Sequence, residues 1–152
     1  MKILIFIVFL LIPHYAEEQL NGKVIGVSDG DTIVFLDQGN KQIKVRLDGI
    51  DCPESKQPFG QKAKQFTVDF CFGKQVAIIS NGIDRYGRVL GIVVVNNDTL
   101  NYELIKAGFA WHYKQYNKEP RLSDMEKIAR EKRIGLWKDE SPIPPWEWRR
   151  NN

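Results

Sequence analysis

Residues 43–48, with the sequence Ile-Lys-Val-Arg-Leu-Asp, alternate between apolar and polar side chains. A period of two predicts a β-strand whose three aliphatic side chains share one face, while Arg46 projects from the other face. The strand leads directly toward Asp51. The pattern therefore predicts a half-buried strand that carries one cation on the face opposite its aliphatic residues.

Four other short runs are apolar, rich in β-branched residues and bounded by turn-forming residues, which is typical of strands. The first two enclose the turn Ser28-Asp29-Gly30 and so predict a hairpin. Together with the strand at 43–48 they make five short strands with long connections, which indicates a small closed or partly closed barrel. The four runs span residues 23–27, 32–36, 75–79 and 89–95.

Apolar residues recur at helical spacing in three segments, and a glycine follows each segment and predicts its end. Asn101 is predicted to cap the second helix. Ser123 and Glu126 have the spacing of a capping box and are predicted to begin the third helix. The three helices are predicted within residues 60–73, 101–108 and 122–135.

Residues 141–152 form a tail rich in proline and tryptophan. The segment 141–148 is predicted to contain neither a helix interior nor a central strand, because proline lacks the amide proton that both require. Its tryptophans are expected to cover a patch of the barrel, with ligand contact as the alternative. Residues 20–140 are long enough for one domain with its own core.

The first sixteen residues are predicted to be a signal peptide rather than part of the fold. Lys2 precedes an apolar run of ten residues, Ile3 to Ile12, and Ala16 offers a small residue for cleavage. Such a run is too short to span a bilayer, so removal on export is favoured over an uncleaved membrane anchor. We therefore expect a secreted or periplasmic protein.

An oxidising destination would allow Cys52 and Cys71 to form a disulfide. The spacing permits this bridge without requiring it, since the two Cα atoms must lie within about 7 Å. Free thiols are the open alternative. Neither cysteine is expected to be a nucleophile, because His14 and His112 are the only histidines that could serve as its base.

Net charge gives only a weak indication of the ligand. The chain carries a formal charge of +3 at pH 7. This mild basic bias is compatible with a polyanionic ligand but does not require one, because a dedicated DNA-binding domain is usually more basic. Nothing in the sequence indicates more than a monomer.

Asp31 and Asp51 are candidate ligands for a divalent cation. Asp31 follows a glycine turn and opens a predicted strand, and Asp51 follows the strand that carries Arg46. Two carboxylates with a backbone carbonyl and water suit Ca²⁺ or Mg²⁺, whereas the lack of clustered histidine and cysteine disfavours zinc. An EF-hand is excluded, because the turn lacks the later acidic ligands. The alternative is that each aspartate only satisfies turn backbone.

Three further residues complete a set suited to phosphodiester cleavage. The guanidinium groups of Arg46 and Arg88 can each bind two phosphate oxygens. Glu54 lies in a loop where it can accept a proton from an attacking water. The alternatives are surface ion pairs of Arg46 with Asp48 and of Arg88 with Asp84, and a Glu54 that is simply solvated.

Five segments between Val24 and Trp137 carry most of these candidates: Asp29-Gly30-Asp31-Thr32, Val45-Arg46-Leu47, Ile50-Asp51-Cys52-Pro53-Glu54, Asp84-Arg85-Tyr86-Gly87-Arg88 and Leu104-Ile105-Lys106-Ala107-Gly108. Their order and spacing resemble the staphylococcal nuclease (thermonuclease) family, the SNase-like domain. The resemblance implies an α+β fold that is mainly β, an OB-fold five-stranded Greek-key barrel with three helices. It also implies calcium-dependent, sugar-nonspecific hydrolysis of DNA and RNA that leaves 3′-phosphates.

The resemblance assigns roles in the chemistry by position. Asp31 and Asp51 match the calcium carboxylates, and the backbone carbonyl of Cys52 matches a third ligand. Arg46 and Arg88 match the two arginines that neutralise the phosphate as it becomes pentacoordinate. The implied cofactor is therefore Ca²⁺.

The resemblance also assigns the proton acceptor and the substrate contacts. Glu54 matches the glutamate usually assigned as general base. Arg85 and Tyr86 would contact the terminal phosphate, and Trp111 and Tyr113 match the region that lines the nucleotide pocket. Because stacking requires an unpaired base, single-stranded DNA or RNA is the expected substrate.

A non-catalytic OB-fold module that binds single-stranded nucleic acid is the alternative function. OB-folds often bind strands without cutting them. Such a module is expected to have lost at least one of the five catalytic or cation-binding side chains, whereas all five are present: Asp31, Arg46, Asp51, Glu54 and Arg88. The sequence therefore favours an enzyme.

Overall fold

The computed structural model describes residues 18–151. The predicted signal peptide at 1–16 lies outside the described residues. No helix within the described range is long and apolar enough to cross a membrane. In chain order the elements are β1 (Glu18–Asp29), β2 (Thr32–Asp37), β3 (Gln42–Leu47), β4 (Ile50–Asp51), α1 (Gly60–Cys71), β5 (Gln75–Ile83), β6 (Val89–Val95), β7 (Asp98–Thr99), α2 (Leu100–Lys106), β8 (Trp111–His112), α3 (Pro120–Glu131), a 3₁₀ turn (Gly135–Lys138) and α4 (Pro145–Asn151).

Five strands close into the predicted barrel. β1 pairs with β2 and β5, β2 pairs with β3, and β5 pairs with β6, all antiparallel. A parallel pairing of β3 with β6 closes the sheet and places Arg46 opposite Leu90. The predicted α+β class and the five-stranded OB-fold barrel are therefore confirmed. The three predicted helices correspond to α1, α2 and α3, and α4 is a fourth.

The alternation along β3 divides the strand between the core and the surface. Val45 and Leu47 are fully buried and join Ile33 and Phe35 of β2 in the barrel core. Arg46 lies on the opposite face and borders a cleft. Burial of the aliphatic side chains thus fixes the direction in which the arginine points.

α1 is anchored by two close contacts with the loops around it. A Cβ atom at Gly60, the first residue of the helix, would lie 1.8 Å from the carbonyl oxygen of Glu54, so only glycine fits there. Thr67 donates its hydroxyl proton to the carbonyl of Gly30 at 2.6 Å. The helix therefore fixes both the loop of Glu54 and the turn that precedes Asp31.

The predicted cap at Asn101 is wrong. α2 begins one residue earlier, and Asn101 is buried in its first turn. Its side chain accepts the amide proton of Val93 at 3.1 Å and donates to the carbonyl of Asp48 at 2.9 Å. The residue therefore satisfies barrel backbone rather than the helix end.

The predicted capping box of Ser123 and Glu126 is also wrong. α3 begins at Pro120, which suits a first turn because the amide proton it lacks would have no partner there. The Ser123 hydroxyl lies 2.8 Å from Nδ1 of His112, and the buried carboxylate of Glu126 accepts the His112 amide at 3.3 Å. Both residues hold β8 against α3.

The tail contains a helix, so the prediction that 141–148 has no helix interior is wrong. α4 begins at Pro145, and the earlier prolines precede the helix instead of interrupting it. The Trp146 ring packs against Trp111, with ring centroids 5.6 Å apart, and against Tyr113, with centroids 5.3 Å apart. The tail thereby contacts β8 and the residue that follows it.

The two cysteines are free, buried thiols, so the structure shows no disulfide between them. The Cys71 thiol donates to the carbonyl of Thr67 at 3.1 Å within α1. Burial raises the pKa of Cys71 to about 12. Burial, and then the charge of Asp31, raise the pKa of Cys52 well above its ordinary value. Neither thiol therefore has the character of a nucleophile.

Candidate active site

One cleft of about 670 Å³ collects most of the sequence-predicted site residues. They come from the start of β2, the end of β3, β4 and its following loop, the turn between β5 and β6, and the segment after β8. Of the predicted residues, Trp111 and Cys52 are not part of its lining. The lining includes Asp29, Asp31, Arg46, Asp51, Glu54, Arg85, Tyr86, Arg88, Tyr113, Tyr116 and Arg149.

Asp31, Arg46 and Asp51 form an ion cluster at the floor of the cleft. One guanidinium nitrogen of Arg46, Nη2, lies 2.9 Å from Asp51 Oδ1 and 3.3 Å from Asp31 Oδ2. The other, Nη1, donates to the carbonyls of Leu47 at 2.7 Å and Ile50 at 2.8 Å. The predicted alternative, a surface pair of Arg46 with Asp48, is not observed among these contacts. The arginine is instead fixed in place by backbone and carboxylates together.

Burial gives this cluster an unusual electrostatic balance. Asp51 is 1% exposed, and its pKa is raised, first by desolvation and then by repulsion from Asp31. The guanidiniums of Arg149 and Arg46 lower this pKa but do not outweigh the two effects. Desolvation by itself lowers the pKa of Arg46, but the charges of Asp31 and Asp51 outweigh it and raise that pKa. Desolvation, and then Asp31, raise the pKa of Asp29 to about 6. The floor of the cleft therefore favours additional positive charge.

The backbone around Cys52 orients Asp31. The amide of Cys52 donates to Asp31 Oδ2 at 2.6 Å, and the Thr32 hydroxyl lies 3.3 Å from Oδ1. A Cβ atom at Gly30 would come within 2.8 Å of the Cys52 Cβ, so the two loops pack closely. This packing brings the carboxylates of Asp31, just before β2, and Asp51, in β4, close together.

The donor set fits a hard divalent cation in chemistry. Asp31 and Asp51 are oxygen donors on neighbouring elements, and both contact the same nitrogen of Arg46. Ca²⁺ and Mg²⁺ prefer such ligands. Within residues 18–151 no group of three or more histidine, cysteine, aspartate or glutamate side chains is arranged to hold a metal ion. Backbone and water ligands would have to complete the coordination.

Glu54 lies at the rim of the cleft in a short, hydrogen-bonded loop. Its amide donates to Gln57 Oε1 at 3.1 Å, and its carbonyl accepts the Gln57 amide at 2.8 Å. Its side chain is 37% exposed and accepts a hydrogen bond from Arg149 Nη1 at 2.6 Å. Solvent can therefore reach the carboxylate while the loop holds it in position.

The turn between β5 and β6 brings Arg85, Tyr86 and Arg88 to the same cleft. Asp84 organises it, because its Oδ1 accepts the amides of Tyr86 at 2.9 Å and Arg88 at 3.0 Å. Burial would raise the pKa of Asp84, but hydrogen bonds from Arg88 and Tyr86 lower it. The predicted pair of Arg88 with Asp84 is present at 2.8 Å. Since Arg88 also lines the cleft, this pair positions its guanidinium without removing it from the site.

Aromatic residues form the remaining wall. Tyr113 and Tyr116 both line the cleft, with ring centroids 4.8 Å apart. Tyr113 also stacks on Trp146 at an interplanar angle of 2°. Trp111, predicted as a substrate contact, is instead buried against Trp137 with ring centroids 4.4 Å apart. Trp111 therefore does not line the cleft but packs against Trp146, which stacks on Tyr113 of the wall.

Sequence reasoning gave no role to three ionisable side chains of the cleft: Asp29, Tyr116 and Arg149. Asp29 lies in a turn that was assigned to the site only through Asp31, and Tyr116 follows Tyr113 at a spacing that a turn brings together. No local sequence pattern indicates a role for Arg149, because its contact with Asp51 joins positions 98 residues apart. Only the helical tail, which was predicted to be irregular, brings it to the site.

Comparison with known proteins identifies the family. A family model described as "Staphylococcal nuclease homologue" matches residues 44–139 of this chain. The chain belongs to the staphylococcal nuclease family. The matched range contains Arg46, Asp51, Glu54 and Arg88, and the resemblance drawn from the sequence is thereby confirmed.

Similar proteins within the staphylococcal nuclease family carry nuclease names. An "Uncharacterized endonuclease" of Haemophilus influenzae is 42% identical over 146 residues, which cover 96% of this chain and 82% of that protein. A "Micrococcal nuclease" of Shigella flexneri is 36% identical over 155 residues and 95% of this chain, with 87% of that protein covered. "Staphylococcal-like nuclease CAN1" of Arabidopsis thaliana is 41% identical over 140 residues, 91% of this chain but 43% of that protein. The family and these relatives support a nuclease function.

Proposed function

We propose that this protein is a calcium-dependent, sugar-nonspecific nuclease that hydrolyses DNA and RNA and leaves 3′-phosphates. The observation that carries the proposal is the convergence of two buried carboxylates, a solvent-accessible glutamate and two arginines on one cleft. These groups suit phosphodiester hydrolysis, because the reaction needs a proton acceptor and positive charge around the phosphate.

Asp31 and Asp51 would hold the calcium ion, with the backbone carbonyl of Cys52 as the third protein ligand. The ion would supply polarisation of the phosphoryl group and orientation of water. The carboxylates are already held together by Arg46, so binding does not have to assemble them. The two carboxylates are buried and repel each other, and a bound cation would reduce this repulsion.

Glu54 accepts the proton of the attacking water in this mechanism. Its loop is held by Gln57, and its carboxylate reaches solvent. Arg46 places its positive charge at the floor of the cleft, where protein groups hold both of its Nη atoms, and Arg88 lines the same cleft from the turn between β5 and β6. Both arginines stabilise the charge that grows on the phosphate oxygens, and such preorganised charge is usually the largest catalytic contribution.

The aromatic wall is proposed to bind the base next to the cleaved bond. Tyr113 and Tyr116 line the cleft, and Tyr86 is 67% exposed at its edge with Arg85 over its ring at 4.8 Å. Stacking accepts any base, and phosphate contacts carry no sequence information. We therefore propose a preference for single-stranded substrate without sequence specificity, and a monomer as the active form.

The substrate and metal proposals can be tested with end-labelled DNA and RNA oligonucleotides of one sequence. Both are expected to be cut with added calcium and to remain intact with EDTA. Products should shift in mobility after phosphatase treatment that removes a 3′-phosphate. Cleavage of one sugar type alone would contradict the lack of sugar specificity, and binding without cleavage would favour the OB-fold binding module.

Export is proposed from the apolar segment at residues 3–12. Expression of the full chain in a bacterial host, followed by fractionation and mass spectrometry, tests it. The expected result is a periplasmic or extracellular product that begins after about residue 16. A cytoplasmic product with residues 1–16 intact would contradict export, and a membrane-bound full-length product would favour the anchor.

A further inference from the structure

α4 places a guanidinium directly on two of the carboxylates assigned to catalysis. Arg149 Nη2 lies 2.8 Å from Asp51 Oδ2, and its Nη1 lies 3.3 Å from Asp51 Oδ1. The same Nη1 donates to Glu54 Oε1 at 2.6 Å. One side chain therefore bridges a proposed cation ligand and the proposed general base.

The helix that carries Arg149 is fixed by specific contacts. Trp146 stacks on Tyr113 and meets Trp111 edge-on, and Pro145, the first residue of the helix, is buried. Gln57, in the loop that holds Glu54, donates to the carbonyl of Ile143 at 2.6 Å just before α4. The position of Arg149 thus follows from packing of the tail and not only from attraction to the acids.

The two arginines at the cleft floor differ in how readily they can leave. Arg46 is bound to two backbone carbonyls as well as to Asp31 and Asp51, so it is part of the barrel. Arg149 is 42% exposed and reaches Asp51 from the end of a seven-residue helix. Its side chain can therefore exchange with another cation without disturbing the barrel.

A cation held by Asp31 and Asp51 would need carboxylate oxygen atoms of Asp51 that Arg149 engages. Both carboxylate oxygens of Asp51 lie within hydrogen-bond distance of this guanidinium. A divalent cation and a guanidinium at one carboxylate repel each other, and a metal ligand oxygen offers fewer lone pairs to a hydrogen-bond donor. Arg46 and Arg149 both contact Asp51, and a bound cation would displace Arg149, because Arg149 is the more exposed of the two and has no part in the barrel.

We propose that Arg149 is a tethered competitor for the calcium site. In the cation-free protein it neutralises Asp51 and occupies the Oε1 atom of Glu54, and it must leave Asp51 for the cation to bind. Its departure also frees Glu54 Oε1, so cation binding and release of the general base from its ion pair become one event. This inference rests on the proposed calcium-dependent function.

Because the cation has to displace Arg149 from Asp51, removal of Arg149 is expected to tighten cation binding. Arg149→Ala is expected to bind Ca²⁺ at least about fivefold more tightly than the unaltered protein, within the usual range of such couplings. Arg150→Ala is the matched control, because it removes the same charge from the next position of α4. It is expected to remain within about twofold, since charges outside the site are screened by solvent and salt.

The measurement is isothermal titration calorimetry of residues 17–152, the chain expected after the proposed cleavage, with Ca²⁺ at fixed ionic strength. A thermal-shift series with Ca²⁺ gives a second readout, in which the stabilisation at subsaturating calcium should be larger for Arg149→Ala. Neither readout depends on cleavage.

Equal calcium affinity of Arg149→Ala and the unaltered protein, or weaker binding by the variant, would overturn the competition. Equal tightening in Arg149→Ala and Arg150→Ala would also overturn it, because only general charge would then be acting. Absence of Ca²⁺ binding in every variant would contradict the calcium dependence in the proposed function, and this inference would fall with it.

Discussion

Arg46 is the residue on which the two buried carboxylates of the cleft depend. It contacts Asp31 and Asp51 through one nitrogen and two backbone carbonyls through the other. Removal of the guanidinium partner of a buried carboxylate lowers the stability of a fold strongly, whereas an exposed ion pair contributes little to stability. At the residue scale, stability and catalysis therefore rest on the same side chain.

Arg46→Ala should lower the free energy of unfolding by about 3 kcal/mol, because it removes the guanidinium that pairs with Asp31 and leaves Asp51 with Arg149 alone. Urea unfolding at pH 7 in EDTA measures the change. The control Arg150→Ala removes an exposed arginine and should change stability by less than about 0.5 kcal/mol. A loss below about 1 kcal/mol for Arg46→Ala would show that Arg149 alone can neutralise the pair.

The raised pKa of Asp29 predicts that the free energy of unfolding depends on pH. Its pKa is about 6 in the folded protein and 3.8 in the unfolded chain. The folded state thus holds this proton more tightly, so the contribution of Asp29 to the free energy of unfolding falls as pH rises between these two values. Asp29→Asn removes the cost of the charge and can still accept the Asp31 amide, which lies 3.3 Å from Oδ1.

Asp29→Asn should therefore stabilise the protein more at pH 7 than at pH 4, by about 1–2 kcal/mol once solvent screening is allowed for. Urea unfolding at both pH values in EDTA tests this. Asp124→Asn, on the exposed face of α3, reports the general effect of losing one acid. A stabilisation by Asp29→Asn that is equal at the two pH values would contradict the raised pKa.

At the scale of elements, the helices position the site through their ends. α1 meets the Glu54 loop at Gly60, and α4 meets it through the hydrogen bond of Gln57 to Ile143. The loop is thus held from two sides, which suits a general base that must stay in place during the reaction.

Gly60→Ala should displace the Glu54 loop, because the added Cβ would lie 1.8 Å from the Glu54 carbonyl oxygen. We expect cleavage to slow by about 100-fold, as for a misplaced catalytic group, with the barrel still folded. Initial rates on labelled single-stranded DNA and near-ultraviolet circular dichroism measure the two effects. Gly39→Ala, in the exposed turn after β2, is the control. Equal rates for the two variants would show that the position of this loop does not matter.

Sequence predicted the elements whose partners are close along the chain. The alternation of β3 correctly placed Val45 in the core and Arg46 at the cleft, because the period of two acts locally. Asn101 and Ser123 were assigned to helix caps, yet their side chains bond to β6 and β8. Local pattern carries no information about such distant partners. The same reason concealed Arg149, whose position depends on packing of α4.

At the scale of the whole molecule, the barrel is stabilised without a covalent bridge. β3 and β6 close the sheet, and the core cluster runs from Val24 to Leu122. Cys52 and Cys71 contribute as small buried side chains. Folding therefore should not depend on the redox state of the surroundings.

The midpoint of thermal unfolding should be the same, within about 2 °C, with and without a reductant, because no disulfide is present to constrain the unfolded chain. Thiol titration should detect both cysteines only after denaturation, since both are buried. A midpoint that falls markedly with reductant, together with loss of titratable thiol, would show that the two residues bridge in solution.

The central claim is that the cleft is a phosphodiesterase site in which Glu54 removes a proton from water. The most direct measurement is the single-turnover rate of single-stranded DNA cleavage by Glu54→Gln at saturating calcium. Glu131→Gln, an exposed residue of α3, is the matched control. The account predicts a fall of about 10²–10⁴-fold for Glu54→Gln, the usual contribution of a general base. Equal rates for Glu54→Gln and Glu131→Gln would contradict it.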